Sequence, residues 1–377
     1  MSPIAHNPPF RAEQIGSFLR PPELLRARED FAAKKISADA LRSAENAAIK
    51  DFVALQQKLG FKAISVGEFR RSTYTANFTT EGLTGVTADH IGEDAWSYTD
   101  ASGHKERARI PQVDGRIMWN NSTNARDFAD LAAMTPTGMT PKITLPGPCY
   151  IHFRAGRARI SQTVYPDLQM FWKDLIAAYE VELTKLYEAG CRYVQLDETS
   201  IAKLGDEKIR SALSARGDDW EALLSDYVDV INTIAKKAPK DMRIGLHLCR
   251  GNRMGHWQAE GGYDVVAEKL FRDCAVDFYF LEYDSERAGT FEPLRALPSN
   301  KSVVLGLIST KVAELETEEF LQSRIKDCAR IVDLDRLAIS PQCGFSSSEK
   351  GNTIMSYDRA VEKLARVVET AQRVWRQ

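Results

Sequence analysis

Four residues of metal-binding types stand at or near the ends of short apolar segments: His247 and Cys249 on one, Glu282 on the next and Cys343 on a third. Imidazole, thiolate and carboxylate are the usual ligands of zinc, and together they satisfy its tetrahedral coordination. Residues i and i+2 of a strand share a face, so His247 and Cys249 can reach one ion. This set predicts a zinc site that activates a small thiol for alkyl transfer.

Each of these residues taken alone is more often structural, since a strand cysteine is usually a small buried hydrophobe. Their common position at strand ends favours the functional interpretation. Six cysteines are scattered without the spacing of a disulfide framework, which indicates a reducing, intracellular compartment. Cys191, Cys274 and Cys328 precede strands or lie in a helix and are expected to be structural, whereas Cys149 is left undecided.

Eight apolar or β-branched segments must position these residues, and most are separated by helix-like stretches. The segments span 12–17, 62–68, 141–146, 193–197, 243–249, 277–283, 302–308 and 337–343. Amphipathic spacing predicts helices over 168–188, 220–236 and 361–375. Buried strands that alternate with helices predict an α/β protein, a single closed (β/α)8 TIM barrel. A doubly wound open sheet is the alternative, but no Gly-x-Gly-x-x-Gly follows the first strand.

Two stretches fall outside this alternation. Residues 79–135 are rich in glycine and β-like patches, and we interpret them as an insertion between strands two and three, a hairpin or lid over the barrel mouth. Residues 1–10 are short and rich in proline, and we interpret them as a flexible N-terminal arm. The remaining chain, 11–377, is expected to form one catalytic domain.

Acidic side chains occupy the ends of other predicted strands. Glu68 ends the second, and Asp197 with Glu198 ends the fourth. Acids directed into a barrel mouth can bind an ammonium group or handle protons; the alternative is a salt bridge or a helix cap. Cations expected on the same face, which could hold a carboxylate, phosphate or sulfonate, are Arg20, Arg70, Arg71, Arg250 and Lys311.

Composition narrows the class of partner. The chain has 377 residues, a formal net charge of -2 and 44% hydrophobic residues. Lys+Arg 50 and Asp+Glu 52 nearly balance, so there is no basic footprint for nucleic acid. No apolar run reaches the roughly 18 residues of a membrane span, and the N-terminus lacks the apolar core of a secretory signal. We expect a cytoplasmic protein whose partners are a small thiol and an alkyl donor, and homo-oligomerisation stays open.

At these positions the chain resembles the cobalamin-independent methionine synthase family, namely its catalytic C-terminal barrel, and most closely the short single-barrel homologues. The resemblance runs from about Arg11 to Trp375. The matching motifs are RAEQIGSFLRP (11–21), SVGEFRRS (65–72), YVQLDE (193–198), GLHLCRGN (245–252), FLEYDSERAG (280–289), VVLGLIST (303–310) and LAISPQCGF (337–345). The resemblance implies zinc held by His247, Cys249, Glu282 and Cys343.

The resemblance also implies a substrate site. The family turn that cradles the amino-acid substrate falls on Ile15, Gly16 and Ser17, and the two acids that hold the amino group of homocysteine fall on Glu68 and Asp197. The implied reaction is methylation of homocysteine to methionine from 5-methyltetrahydrofolate, or from another methyl carrier. A folate is therefore a possible co-substrate.

This sequence departs from the long synthases at three places. Their N-terminal barrel is absent. Their Asp-x-His-Ser-Pro stretch after strand seven is Ser309-Thr310-Lys311 here, and their Asp-Glu-Pro is Asp197-Glu198-Thr199. Asp197, Glu198 and Lys311 are consequently the candidate catalytic residues that handle protons, and the alkyl donor stays open.

Three other functions are weighed against this one. An epoxyalkane:coenzyme M transferase would also use zinc but would bind a sulfonate thiol. The acids Glu68 and Asp197 argue against this function, because they suit an ammonium group and not a sulfonate. Uroporphyrinogen decarboxylase shares the barrel without zinc, and the intact ligand set speaks against that assignment. A non-catalytic zinc or thiol sensor is the third, and the complete site speaks against it as well.

Overall fold

The computed structural model describes residues 8–91, 96–99 and 103–375. Residues 1–7 of the predicted arm lie outside the described residues. The strands are β1 (Ala63–Ile64), β2 (Val86–Ile91), β3 (Tyr98–Thr99), β4 (Lys105–Glu106), β5 (Arg109–Val113), β6 (Thr140–Pro141), β7 (Ile143–Pro146), β8 (Tyr193–Glu198), β9 (Arg243–Leu248), β10 (Phe278–Glu282), β11 (Ser302–Ile308) and β12 (Leu337–Pro341). The α-helices are α1 (Pro22–Ala32), α2 (Ala38–Leu59), α3 (Asn124–Met134), α4 (Tyr150–Ala155), α5 (Leu168–Glu188), α6 (Glu207–Ala215), α7 (Trp220–Lys237), α8 (Glu318–Cys328) and α9 (Tyr357–Trp375).

A six-stranded parallel sheet in the order β12-β11-β10-β9-β8-β7 forms the centre of the fold. Its strands are buried along nearly their whole length, as expected for a parallel sheet covered by helices. The register pairs Asp197 of β8 with His247 of β9, and Glu282 of β10 with Gly306 of β11. The carboxyl ends of these strands therefore lie together at one end of the sheet, and the predicted site residues lie there.

The first two predicted strands are much shorter than expected. Segment 12–17 contributes a single parallel bridge, between Ala12 and Ile339 of β12, and segment 62–68 contributes only β1, which pairs with β6. Both segments leave the extended conformation early, with positive φ at Gly16, Gly67 and Glu68. What the structure shows is an α/β fold built on six parallel strands, with these short pairings at its two edges.

A polar network fills the interior between the edge segments and the sheet. The Lys142 ammonium lies 3.3 Å from a carboxylate oxygen of Glu13, and both side chains are fully buried. Lys142 also donates to Gln195 (3.1 Å), and Tyr193 donates to Glu13 (2.8 Å). A buried ion pair needs such additional hydrogen bonds to offset desolvation. No local sequence pattern predicts this network. Two of its members, Tyr193 and Gln195, lie on β8, the strand that also carries Asp197.

The insertion forms antiparallel pairings. Strand β2 pairs with β5, and the two-residue strands β3 and β4 pair with each other. Residues 92–95 and 100–102 of this stretch lie outside the described residues. The insertion also contacts the loop after β9, through a 2.6 Å ion pair between Arg253 and Glu106 and a bridge between Thr99 and Trp257. The insertion thus lies near the carboxyl ends of the parallel strands.

The long helices follow their sequence signals. Helix α5 has the bounds predicted for it, and α7 begins after Asp219, whose carboxylate accepts hydrogen bonds from the amides of Glu221 and Ala222. Helix α9 begins four residues before the predicted start, at Tyr357. Within the described ranges, none of the helices is long and apolar enough to cross a membrane.

His152 of α4 provides a pH-dependent contribution to stability. It is 1% exposed, its Nδ1 lies 3.0 Å from the Tyr227 hydroxyl, and burial lowers its pKa to about 4. In the unfolded chain the pKa of His152 is near 6.5. Between pH 6.5 and pH 4 this histidine is therefore protonated in the unfolded state but not in the folded state, so the free energy of unfolding rises with pH across that window. We expect the titration of His152 to lower the free energy of unfolding by about 2 kcal/mol when the pH falls from 7 to 5.

Urea unfolding at these two pH values measures this contribution. His152→Gln keeps a hydrogen-bonding group but does not titrate, so its loss of stability on acidification should be smaller than that of the wild type by about that amount. Equal losses in the two proteins would contradict the assignment.

Candidate metal centre and adjoining pocket

Three of the four predicted ligands come together in the folded chain. His247 and Cys249 follow from β9, and Cys343 lies just beyond β12. One potential ligand atom from each residue lies within 4.8 Å of those of the other two, and the two sulfurs are 3.5 Å apart. Both ring nitrogens of His247 are buried without a hydrogen-bond partner among the described residues. A buried imidazole normally satisfies its nitrogens, so this cysteine–histidine cluster fits a thiophilic metal such as zinc.

The cluster is electrostatically prepared for a cation. The hydrogen bond between the two thiols lowers the pKa of Cys249 well below its usual value and raises that of Cys343. Burial alone would lower the pKa of His247, but the adjacent Cys249 and the negative charges of Asp197 and Glu282 raise it. Cys249 is accordingly the first thiolate of the pair, and the amide of Gly251 donates to its sulfur (3.2 Å). A preformed soft anion is what a zinc site requires.

Glu282 lies outside the three-residue cluster. It is fully buried at the end of β10, and its carboxylate is 3.5 Å from Arg250 and 3.8 Å from Arg287. Burial raises its pKa, the charge of Cys249 raises it further, and the charge of Lys311 opposes this. Lys311 is itself buried, and its ammonium has no hydrogen-bond partner among the described residues. Glu282 stays a predicted ligand, placed beside the cluster and held by arginines.

A pocket of about 570 Å³ opens beside the cluster. Its wall includes the cluster itself together with Glu68 and Asp197, two of the three acids selected from the sequence. Strands β2 and β5 of the insertion contribute further wall residues. The predicted metal ligands and the predicted ammonium-binding acids therefore share one cavity.

Glu68 is held in an unusual backbone conformation. Its φ is 57°, a region that few residues other than glycine adopt, and such strain is concentrated at functional sites. Thr144 donates to one carboxylate oxygen (3.0 Å), and Arg71 lies 3.6 Å from the same oxygen. The second oxygen is buried without a partner among the described residues. Glu68 thus keeps one acceptor available to a molecule in the pocket.

Asp197 reaches the same cavity from the end of β8. Gln195 donates to its carboxylate (2.6 Å) and belongs to the interior network of Lys142. Burial raises the pKa of Asp197 to about 7, with His247 acting in the opposite direction. Two acids in one buried cavity provide a strong site for a cationic group, because its charge would stabilise both carboxylates.

The turn at Ile15, Gly16 and Ser17 borders the same space. Ile15 and Ser17 line the pocket. Gly16 has a φ of 136°, and a Cβ there would lie 2.7 Å from Thr144. Gly344 is equally constrained, since its Cβ would lie 1.9 Å from the Ser17 hydroxyl. These two glycines allow the turn to approach both the end of β7 and the Cys343 loop.

Other residues selected from the sequence have different contacts. Arg20 is buried and donates to backbone carbonyls, among them that of Glu68 (2.8 Å), and burial lowers its pKa to about 10. Arg70 forms ion pairs with acidic side chains of α2 and α3, including one with Asp130 at 3.0 Å. Glu198 accepts from the amides of Ser200 (2.6 Å) and Cys149 (3.3 Å). Arg20 and Glu198 therefore bind backbone groups near the pocket, Arg70 binds acidic side chains, and none of the three lines the pocket.

Several pocket residues carried no signal that the sequence analysis used. Tyr74, Tyr98, Tyr150 and Arg154 all line the cavity. They come from the loop before the insertion, from the insertion and from α4, where no metal-type motif occurs. Cys149, undecided from sequence, is buried with its thiol 3.8 Å from a backbone carbonyl, and burial raises its pKa well above the usual value.

The fold thus places two thiols and an imidazole at the carboxyl ends of the strands of a parallel α/β sheet, which is where enzymes of this fold class carry their active sites. The family model described as "Cobalamin-independent synthase, Catalytic domain" matches residues 10–371. The chain belongs to this family of cobalamin-independent methionine synthases, whose members are methyltransferases.

Relatives and solved structures agree with that assignment. The Bacillus subtilis protein YxjH, which is uncharacterized, is 37% identical and aligned over 98% of this chain and 95% of its own length. A candidate vitamin-B12-independent methionine synthase from Listeria monocytogenes superposes with a TM-score of 0.76 at 34% identity, over 97% of this chain and 98% of its own. A Bacillus velezensis 5-methyltetrahydropteroyltriglutamate–homocysteine methyltransferase is 21% identical over 92% of this chain, which spans 41% of it.

Proposed function

We propose that this protein is a zinc-dependent transferase that methylates homocysteine to methionine, with 5-methyltetrahydrofolate or another methyl carrier as the donor. The observation that carries the proposal is the cysteine–histidine cluster, which opens into the same cavity as Glu68 and Asp197. Membership of the methionine synthase family supports the reaction class. The acids favour a thiol that carries an ammonium group over a sulfonate thiol such as coenzyme M.

We also propose that the two edge segments complete a closed eight-stranded barrel. The bridge at Ala12, the β1–β6 pairing and a 3.0 Å hydrogen bond from Phe18 to Gly67 support this closure. The insertion between the second and third strands would then cover the mouth as a lid.

The residues divide the work in this proposal. His247, Cys249 and Cys343 would hold zinc, and Glu282 beside them would be the fourth ligand. Bound zinc supplies a Lewis acid that lowers the pKa of a coordinated thiol. Glu68 and Asp197 hold the substrate ammonium and so orient its sulfur toward the cluster. The reaction forms a carbon–sulfur bond and breaks the bond between the methyl group and its carrier; the thiol loses its proton, and the carrier leaves with the electron pair of the broken bond.

Purified protein tests the proposal directly. We expect about one zinc per chain and methionine formation from homocysteine and 5-methyltetrahydrofolate or another methyl carrier. Coenzyme M and glutathione with methyl donors and epoxides serve as comparison substrates. Absence of bound zinc, or turnover of coenzyme M in place of homocysteine, would overturn it.

Glu68 provides a sharper test of the thiol. Replacing it with glutamine removes a charge-assisted contact to the ammonium, so we expect the Kd of homocysteine to rise about 10- to 100-fold. The Kd of 4-mercaptobutyrate, which lacks the amino group, should change little. Calorimetric titration measures both.

The matched control is Glu45→Gln, which changes a buried acid that pairs with Arg28 and Arg70 and does not line the pocket. It should leave both affinities as in the wild type. If Glu68→Gln weakened the two thiols equally, Glu68 would not be the ammonium site.

A further inference from the structure

Arg154 of α4 is a buried arginine that lines the pocket. It is 2% exposed. Its guanidinium donates to the carbonyl of Trp96 (3.4 Å) and to the hydroxyl of Tyr98 (2.9 Å), and its Nε is buried without a partner among the described residues. The rings of Trp96 and Tyr98 lie 5.8 and 5.6 Å from its central carbon. Neutral groups thus surround a permanently charged side chain.

No carboxylate of the described residues lies within 4.0 Å of this guanidinium. The phenols near it do not compensate the charge, because burial raises the pKa of Tyr74 and of Tyr150, and both remain protonated at neutral pH. Lys203 is a second buried amine nearby, without a hydrogen-bond partner among the described residues. Burial lowers its pKa well below the usual value, and Arg154 lowers it further.

Buried charges in proteins are paired, since an isolated ion loses its hydration without recovering an equivalent interaction. Arginine does not escape this cost by deprotonation. A bound anion would supply the missing partner, and guanidinium is suited to planar oxyanions. The hydroxyls of Tyr74, Tyr98 and Tyr150, which line the same pocket, can donate hydrogen bonds to the same anion.

We propose that Arg154, with Tyr74, Tyr98 and Tyr150, forms an oxyanion subsite that takes a carboxylate, phosphate or sulfonate of the molecule bound in the pocket. The aromatic walls favour an oxyanion attached to a flat unsaturated group. The subsite itself stands apart from the proposed reaction. Only its assignment to one of the two substrates, the thiol or the methyl donor, rests on the proposed function.

Benzoate and its neutral analogue benzamide are suitable probes, because they differ in charge but little in shape. We expect calorimetry to give at least about a 10-fold preference for benzoate in the wild type. Arg154→Met should abolish the preference, whereas Arg154→Lys should keep part of it. Arg157→Met is the matched control: that arginine donates to backbone carbonyls (3.0 Å to Ile160) and does not line the pocket.

A purely structural role for Arg154, as an anchor of the insertion, makes a different prediction. Glu106→Gln weakens the anchoring of the insertion by removing the ion pair with Arg253 (2.6 Å), but it keeps every group of the subsite, so the preference for benzoate should persist in that variant. Loss of the preference in Glu106→Gln to the same extent as in Arg154→Met would overturn the subsite, as would equal binding of benzoate and benzamide by the wild type.

Zinc content and homocysteine binding separate this inference from the proposed function. Both should be unchanged in Arg154→Met if the oxyanion belongs to the methyl donor, whose KM should then rise at least about 10-fold. Weaker binding of homocysteine, with unchanged binding of 3-aminopropanethiol, would assign the oxyanion to the thiol substrate. A wild type that lacks zinc but prefers benzoate would refute the proposed function and leave the subsite standing.

Discussion

Replacing Cys343 with serine is expected to abolish stoichiometric zinc binding and to lower the rate of methyl transfer by about a thousandfold or more. The sulfur of Cys343 lies 3.5 Å from that of Cys249, and their hydrogen bond lowers the pKa of Cys249. Serine keeps the size of the side chain but is a poor ligand for zinc. Loss of a Lewis acid that contributes several kcal/mol corresponds to about this change in rate.

The control for this experiment is Cys328→Ser. Cys328 is also fully buried, and burial raises its pKa to about 12, but it lies in α8 away from the pocket. Metal analysis of both variants, with circular dichroism to verify folding, provides the comparison. A Cys343→Ser protein that retained one zinc per chain and full activity would remove the cluster from the mechanism.

The second large effect is on stability. Lys142→Met should lower the free energy of unfolding by about 3–5 kcal/mol, the typical cost of breaking a buried ion pair. The substitution would leave the Glu13 carboxylate uncompensated, with Tyr193 (2.8 Å) as a remaining hydrogen-bond donor. Gln195, which links this network to Asp197, would lose its contact with the ammonium. Urea unfolding at pH 7 measures the change.

Two further variants identify the cause. Lys142→Met combined with Glu13→Gln removes the unpaired charge, so it should recover a large part of the lost stability. Lys185→Met breaks an exposed pair with Glu188 (3.0 Å), which should cost less than about 1 kcal/mol. A single Lys142→Met variant as stable as the Lys185→Met variant would show that the interior pair contributes little.

The pocket combines groups of opposite charge. Glu68 and Asp197 provide acceptors for a cation, whereas Arg154 is a cation without an acidic partner among the described residues. A cavity of about 570 Å³ has room for more than one small molecule or for one larger ligand. In the proposed site, a cationic group would bind at the two acids and an oxyanion at Arg154, so charge would favour one orientation of the bound molecules.

Local sequence patterns are sufficient to predict the central sheet and to select candidate residues at the carboxyl ends of its strands. Buried parallel strands are nearly continuous apolar runs, so β8 to β12 were recognisable from local composition. Parallel strands that share one direction bring their ends together, which predicts one cluster of His247, Cys249, Glu282 and Cys343. In the structure, three of them lie together and Glu282 lies beside them. Glu68 and Asp197 followed from the same reasoning.

The length of the edge strands and the pairing of buried charges could not be predicted in this way, because both depend on contacts between residues that are distant in sequence. The edge segments were predicted as full strands, but their length depends on pairing with neighbours and on the positive φ at Gly16 and Glu68. Whether a buried charge has a partner is equally non-local. Lys142 finds Glu13 at a separation of 129 residues, whereas Arg154 finds no carboxylate among the described residues. Local patterns report burial and periodicity, but pairing depends on three-dimensional proximity.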